Sequence, residues 1–531
     1  MDTHHIIIIG AGHNGLVTAG YLAKAGLKPL VLERRAIVGG ACVTEGFHPG
    51  FRASTLAQTT GPLSAQVIKD LQLERHGLEF IKPSVRVFAP NAGGRSICIY
   101  EDAKRTADEL TAESAKDAKN YSDFVSTFAR IGRALSPLLR MTPPDIDRLS
   151  KGELWGLGKL GLAIRGLGKK DEYRLLRYGP MAVADLAAEW FETELLRAIV
   201  AARGIFGAMA GPWSAGTSAA LLLQAATGEH TIAPATFIKG GMGALSQSLV
   251  QVATKAGAEI RTNAEVKSVS VKDGKAVGVI LSSGEEIAAR AVISNADPRT
   301  TFLNLVDPGE LDPSFLIKIR NYRAQGTVAK VQLALSALPQ FSSLNGLNGG
   351  ASEKLSGRIH VGPDIDYLER AFDAAKYGDM SPHPYLDIAI PSLTDSSLAP
   401  AGAHVMSIHA QFAPDHLKDG DWNSRRDELG DIVVNTVSDY APNVKELIVG
   451  RKVITPLDLA ETYGLSGGHI HHGEMSVDQL FAFRPLIGWA RYRTPIDGLY
   501  LCGAGTHPGG GVTGMPGMNA AREIVKDLTR R

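Results

Sequence analysis

The sequence predicts an α/β protein in which a Rossmann-like dinucleotide-binding domain is interleaved with a second, mixed α+β domain. Three observations carry this. A strand–glycine turn–helix unit opens the chain, in "HHIIIIGAGHNGLVTAGYLAKAGLKPLVLERR". A second glycine-rich strand–helix junction, "LYLCGAGTHPGGGVTGMPG", lies just before its end. Between them run several hundred residues of helical and strand-like pattern with no internal repeat, low-complexity tail or long charge run.

Length and composition fit two domains. The chain has 531 residues, 44% hydrophobic and 21% charged, enough for a large core. Lys plus Arg is 56 against 55 for Asp plus Glu, so nothing in the charge balance points to a nucleic-acid partner. Cys42, Cys98 and Cys502 are far apart in the chain. They predict a reducing compartment, no disulfide framework and no zinc spacing. "MDTHHIIIIGAG" lacks the basic and long apolar regions of a signal segment. No stretch reaches the roughly 18 apolar residues of a spanning helix. The expectation is a soluble chain, cytoplasmic in a bacterium or in an organelle matrix in a eukaryote.

In the opening unit, Ile6 to Ile9 suit a buried parallel strand. Gly10, Gly12 and Gly15 follow in G-x-G-x-x-G spacing, and Leu16, Ala19, Leu22 and Ala23 share one helical face. Gly26 is placed to end the helix, and a second strand runs from Pro29 to Glu33. Gly10 permits the tight turn and Gly12 a close approach of backbone to a pyrophosphate. Gly15 permits packing of the helix on the sheet, and Glu33 can accept from a ribose hydroxyl. "GLGKLG" at 156–161 has the same spacing but follows no strand and precedes no strand with a terminal acid, so it is not read as a second site.

Glu33 suits the adenosine ribose of FAD or NAD. The diglycine Gly39–Gly40 after the second strand favours a long, buried cofactor whose pyrophosphate is wrapped by backbone. "GAGHNGL…VLERR…VGG" resembles the opening of the phytoene desaturase-like FAD-dependent oxidoreductases, a branch of the amine oxidase superfamily. "FIKGGMGALSQSLVQVATKAGAEIRTNAEVKSVSV" and "AVISNADP" resemble the segments where such chains re-enter and leave the FAD domain. "DGLYLCGAGTHPGGGVTGMPGMNAAREIV" is similar to their C-terminal flavin motif. The resemblance is diffuse over 105–235 and 301–465. It implies FAD as cofactor, held by Gly10, Gly12, Gly15, Glu33, Arg34, Gly39, Gly40, Val266, Gly503, Ala504, Gly514 and Met515. The helix beginning near Gly514 would aim its N-terminus at the flavin. It also implies an FAD domain made of 1–103, 236–300 and 480–531 and a substrate domain made of 104–235 and 301–479. Helices are expected over 104–140 and 171–230, and strands at 328–335 and 404–411. Disulfide reductases need a second cysteine five positions after the first, and position 47 is Phe47, so no dithiol can form beside the flavin.

Candidate catalytic residues are few, because a flavin does most of its own chemistry. His507, inside the flavin motif, is expected to orient substrate or protonate an intermediate, unless "HP" only shapes the loop. Lys330 alternates with Val328 and Gln332 on one strand face. Some amine oxidases hold a water near the flavin with such a lysine; a solvated strand face is the alternative. "HIHHGE" offers His469, His471, His472 and Glu474, as a rim of the substrate pocket or a surface turn. H-x-H can ligate a metal, but a flavin site needs none. Residues 154–170, "LWGLGKLGLAIRGLGKK", mix leucines and Trp155 with lysines and can lie in a bilayer interface, although their glycines weaken a helix.

The predicted function is an FAD-dependent dehydrogenase or desaturase that moves hydride from a small apolar, isoprenoid-like substrate to the flavin, with oxygen or a quinone as electron acceptor. The alternatives are an FAD-stabilised regulatory or interaction protein, and an amine oxidase. Gly503 to Asn519 holds no aromatic residue for an amine cage. The sequence leaves the oligomeric state open.

Overall fold

Ile6 to Ile9 are apolar on both strand faces, and they lie at the centre of a sheet covered on both sides. The computed structural model describes residues 4–59, 63–93, 96–228, 230–345 and 350–529. His4–Ile9 lies between Pro29–Leu32 and Glu286–Ser294, parallel to both. Glu259–Arg261 extends the sheet beyond Pro29–Leu32, and Leu499–Leu501 pairs with Glu286–Ser294, again in parallel. Val266–Lys272 and Lys275–Leu281 add an antiparallel flap at the other edge. The helices His13–Lys24, Met242–Lys255 and Met515–Thr529 pack together on one face. The sheet thus draws its strands from three distant parts of the chain, which is the interleaving the sequence predicts.

A second sheet has the order Ile448–Ile454, Val328–Leu335, His404–Gln411, Tyr385–Ala389, Arg358–Val361, Val85–Ala89, Ile97–Tyr100. The expected strands at 328–335 and 404–411 are both present. One boundary needs correction. The boundary at 103 places Val85–Ala89 and Ile97–Tyr100 in the first domain, but Val85–Ala89 pairs with Arg358–Val361, so both strands belong to the second sheet. A helical cap over this sheet includes Ala115–Arg140, Val183–Trp190, Glu194–Ile205 and Ala219–Ala226. Its core is aromatic, with Phe124 and Phe128 rings 4.6 Å apart and Trp190 edge-on to Phe124.

The segment at 151–165 is a full helix despite its four glycines. Ser150 and Glu153 form a capping box that supplies what the glycines withhold. None of its residues is buried; Trp155 is 67% and Leu162 70% exposed. No helix among the described residues is long and apolar enough to cross a membrane.

Candidate active site

A cavity of about 700 Å³ runs from the opening glycine turn of the first sheet to the inner face of the second. At one end the wall is Gly10, Gly12, His13 and Asn14, with Glu33 and Arg34 at the end of the second strand. Gly12 caps the helix His13–Lys24 without any side-chain hydrogen bond, so the N–H groups of its first turn have no acceptor within the helix. Glu33 is buried. Its carboxylate accepts from the backbone N–H of Ala11 at 2.9 Å and of Arg35 at 3.0 Å, which fixes it at the strand end. Gly39 and Gly12 form a parallel bridge that folds the diglycine against the turn. A Cβ at Gly15 would sit 2.3 Å from Gly10 O, so only glycine lets the helix approach the strand this closely.

These residues fit FAD. Among the described residues, His13 Nε2, Asn14 Oδ1 and His472 Nδ1 are buried side-chain atoms without hydrogen-bond partners at this end, beside the first turn of the helix His13–Lys24. Val266, with Ala264 and Glu265, lines the far end, where an adenine would lie. Ala504 and Met515 of the C-terminal motif face the same cavity from the other side, with Gly511, Val512 and Thr513.

Other sequence candidates sit differently. Gly15, Gly39 and Gly503 stand behind the wall; at Gly503 a Cβ would meet Asn295 O at 2.7 Å. Gly514 has φ +68°, and its Cβ direction points at Val17 and Val67, not into the cavity. The expectation that Gly514 itself holds the cofactor is therefore corrected. Arg34 lines the cavity while its Nη2 donates to the carbonyls of Glu461 and Thr462, at 2.8 and 2.7 Å. Asn295 is a site residue that the sequence does not single out. Its amide lies over Gly10, Gly12 and Gly15, and Nδ2 would be 2.8 Å from a Cβ at Gly12. "ISNADP" offers no hint of it beyond the strand end.

His507 also needs correction as a catalytic candidate. It is buried, and its Nε2 donates to Leu138 O at 2.8 Å, away from the cavity wall. Burial pushes its pKa down to about 4, so it is neutral at pH 7. Pro508 and Gly510 face the cavity in its place. His471 and His472 do line the cavity, whereas His469 is wholly buried beside Glu474. The fully buried Arg484 ties this segment to the flavin motif. Its guanidinium donates to His471 O at 2.7 Å, Glu474 O at 2.8 Å and Ala504 O at 2.8 Å.

Lys330 is 2% exposed, so the solvated strand face is corrected to a buried one. Strand pairing sets Lys330 beside His409, His409 beside Asp387 and Asp387 beside His360, a polar row across four strands. Lys330 Nζ donates to Gln58 Oε1 at 2.6 Å and lies 3.3 Å from His409 Nε2, which donates to Leu56 O at 2.8 Å. Burial holds the Lys330 amine well below its ordinary pKa, with Asp387 opposing, and pushes His409 down to about 3. Burial alone would raise the Asp387 carboxyl, but Arg358 and Arg203 hold it below the usual carboxylate value. Phe206 packs edge-on against His409 of this row, and Leu139, Ala220, Leu223 and Ile470 line the same cavity.

Cys42, Cys98 and Cys502 are free and buried, and burial pushes each thiol up to about 12. Thiol–disulfide exchange has no reactive pair to use.

A family model described as flavin containing amine oxidoreductase matches residues 15–525. Pyridine nucleotide-disulfide oxidoreductase domain-containing protein 2 of Rattus norvegicus is 36% identical over 98% of this chain and 93% of its own length. Phytoene desaturase of Fusarium fujikuroi is 26% identical over 98% of this chain and 88% of its own. The solved structure of an oxidoreductase from Methanosarcina mazei superposes with a TM-score of 0.62 at 15% identity, covering 98% of this chain and 100% of that one, a likeness of fold.

Proposed function

The chain belongs to the family of flavin containing amine oxidoreductases, and we propose that within it the protein dehydrogenates a substrate with a largely apolar body. It is an enzyme, an oxidoreductase, and its cofactor is FAD. The observation that carries the proposal is the continuity of the cavity. The dinucleotide cradle opens directly onto the apolar wall of Leu139, Phe206, Leu223 and Ile470, with Lys330 between them.

Bound FAD supplies a two-electron acceptor. Gly10, Gly12 and Glu33 would hold its adenosine and pyrophosphate part, and Ala504 and Met515 would face its other end. Lys330 Nζ, its charge disfavoured by burial and its position fixed by Gln58, orients the reacting end of the substrate and can take up a proton there. The apolar wall excludes water from the transfer.

Amine oxidation fits less well. Arg203 and Arg358 line the substrate end against one carboxylate among the described residues there, Asp387, so an ammonium group would meet its own sign. The exposed helix 151–165 supports the delivery of an apolar substrate from a bilayer. Leu154, Trp155 and Leu162 share its outer face, with Lys151, Lys159 and Arg165 along it.

The test is anaerobic titration of the holoenzyme with candidate substrates while the visible flavin band is followed. A dehydrogenase bleaches with one of them. A regulatory protein bleaches with none, and bleaching by primary amines alone would replace the proposal with amine oxidation.

A further inference from the structure

We infer that the substrate carries an anionic oxygen group, a carboxylate or a phosphate, and that Arg203 is its docking residue. This rests on the reading that the cavity wall facing the flavin end holds the substrate.

Arg203 sits in the last turn of the helix Glu194–Ile205 and lines the cavity. Its guanidinium lies over the Phe206 ring, 5.0 Å from the centroid, which holds its plane in place. Among the described residues its nearest carboxylate oxygen is Asp387 Oδ2 at 3.8 Å, too long for a hydrogen bond, and its Nε is buried with no partner. Asp387 is already engaged elsewhere: Arg358 Nε donates to its Oδ1 at 2.8 Å. Lys330 has only neutral neighbours in contact, Gln58 and His409.

The charges therefore do not balance. At this end of the cavity, among the described residues, Arg203, Arg358 and Lys330 face one carboxylate, Asp387. Lys330 can shed its proton, but Arg203, pushed down by burial to about 10, stays charged at pH 7. A buried cation that shares its one counter-ion with a second guanidinium is costly, and the cost falls when an anion arrives with matching geometry. A guanidinium with free donors presents a planar fork suited to carboxylate or phosphate oxygens.

FAD's own phosphates have a separate cradle at the start of the helix His13–Lys24, in the first domain. Arg203 belongs to the helical cap over the second sheet, and its charged and aromatic neighbours, Phe206, Asp387 and Arg358, belong there too. Beside the polar row of Lys330, His409 and Asp387 the cavity also offers Leu139, Phe206, Leu223 and Ile470, so the matching ligand is an amphiphile: an anionic head at Arg203 and a hydrocarbon body along these apolar side chains.

The experiment is calorimetric binding of decanoate, decyl phosphate and 1-decanol to the holoenzyme at low ionic strength. At least one of the two anions is expected to bind about tenfold or more tightly than decanol, a difference of about 1.4 kcal/mol. Which anion binds better separates a carboxylate head from a phosphate head. Arg203→Met, which keeps the bulk and removes the charge, is expected to bring the three ligands within about twofold while decanol binding holds. Arg203→Lys is expected to keep part of the preference. Equal binding of anions and decanol by the natural protein overturns the inference, as does a preference that survives in Arg203→Met. If Arg203→Met loses FAD, the comparison in the natural protein and in Arg203→Lys decides alone. Failure here is distinct from failure of the dehydrogenase reading. Flavin bleaching by a neutral apolar compound without anion preference sinks only this inference, and anion preference without bleaching by any compound sinks only that reading.

Discussion

The two glycine-rich junctions differ in what their glycines touch. At the N-terminal junction Gly10, Gly12 and Gly40 line the cavity, and the nearest obstacle to a side chain at Gly12 is the movable amide of Asn295. At the C-terminal junction most glycines are pressed against other segments. A Cβ would meet Pro298 at Gly505, Met475 at Gly509, His471 at Gly510 and the backbone oxygen of Asn14 at Gly517, each within 2.5 Å. The first junction lines the cavity with its glycines; the second uses them mainly to pack the two domains and the first helix together. Two sequence stretches of similar composition thus carry different constraints.

The largest expected effects break this comparison directly. Gly12→Val should lose FAD, because the side chain enters the cradle, while the apo fold persists once Asn295 shifts. Gly517→Val should lose the fold itself: its Cβ at 2.3 Å from Asn14 O forces the helices Met515–Thr529 and His13–Lys24 apart. The cost is on the order of 4 kcal/mol or more. FAD stoichiometry and circular dichroism of the two purified variants separate the cases. A Gly12→Val protein that keeps full FAD would remove the cradle assignment.

Acid should act next, through buried histidines at both junctions and in the second domain, where burial lowers His230, His360 and His409 to about 3, 4 and 3. His471, His472 and His507 are buried in or against the C-terminal loop, with pKa values lowered by burial to about 3, 4 and 4. His13, at about 4, is the N-terminal counterpart. Each lies below its unfolded value, so the unfolded chain binds more protons between the two values. Stability is therefore full above about pH 6.5 and declines as the pH falls towards 4, by on the order of 3 kcal/mol per histidine across the window. Thermal melts from pH 7.5 to 4.5 should show this fall, with a shallower slope in His507→Gln. Stability that is flat over this range would mean that these histidines are protonated within the fold.

Glu33→Ala should weaken FAD by about 1.5–3 kcal/mol, the value of a charge-assisted hydrogen bond. It should also cost stability, because the carboxylate holds the N–H groups of Ala11 and Arg35. Titration of the apoprotein with FAD measures the first effect, and denaturant unfolding of the apoprotein the second. An unchanged FAD affinity would leave Glu33 as a fold-holding residue alone.

How much of this is legible in the sequence follows the same divide. The first unit is readable because each signal is local: apolar run, glycine spacing, amphipathic helix and strand-end acid lie within one stretch of chain. The strands at 85–89 and 97–100 are misassigned by sequence because their partner, Arg358–Val361, is remote, and chain continuity is the only guide. The substrate end is nearly invisible. Lys330, His409 and Asp387 are single polar residues in three separate strands, and only the register that pairs them makes a row. Arg203 in "LLRAIVAARGIF" reads as the polar side of a helix. His507 misleads for a related reason, since proximity in sequence to the flavin motif does not fix the direction of its ring.

The smallest expected effect tests the C-terminal junction within itself. Gly511 and Gly514 both have positive φ, +92° and +68°, so an alanine at either incurs a similar backbone strain of about 1–2 kcal/mol. They differ in where the added carbon goes. At Gly514 it meets Val17 and Val67 at 3.3 and 3.4 Å, inside the packing of the first helix. At Gly511, which lines the cavity, its one neighbour within 4 Å among the described residues is Thr513 at 3.8 Å, so the added carbon has open space beside the cavity that would hold the flavin. Gly514→Ala should therefore lower the unfolding midpoint slightly and leave the visible flavin spectrum unchanged. Gly511→Ala should lower the midpoint by a comparable amount and also shift the flavin band. Because the strain is shared, the spectral difference isolates contact with the cofactor. A shifted spectrum in Gly514→Ala with none in Gly511→Ala would reverse the assignment of the two glycines and turn the helix start at Met515 toward the ring.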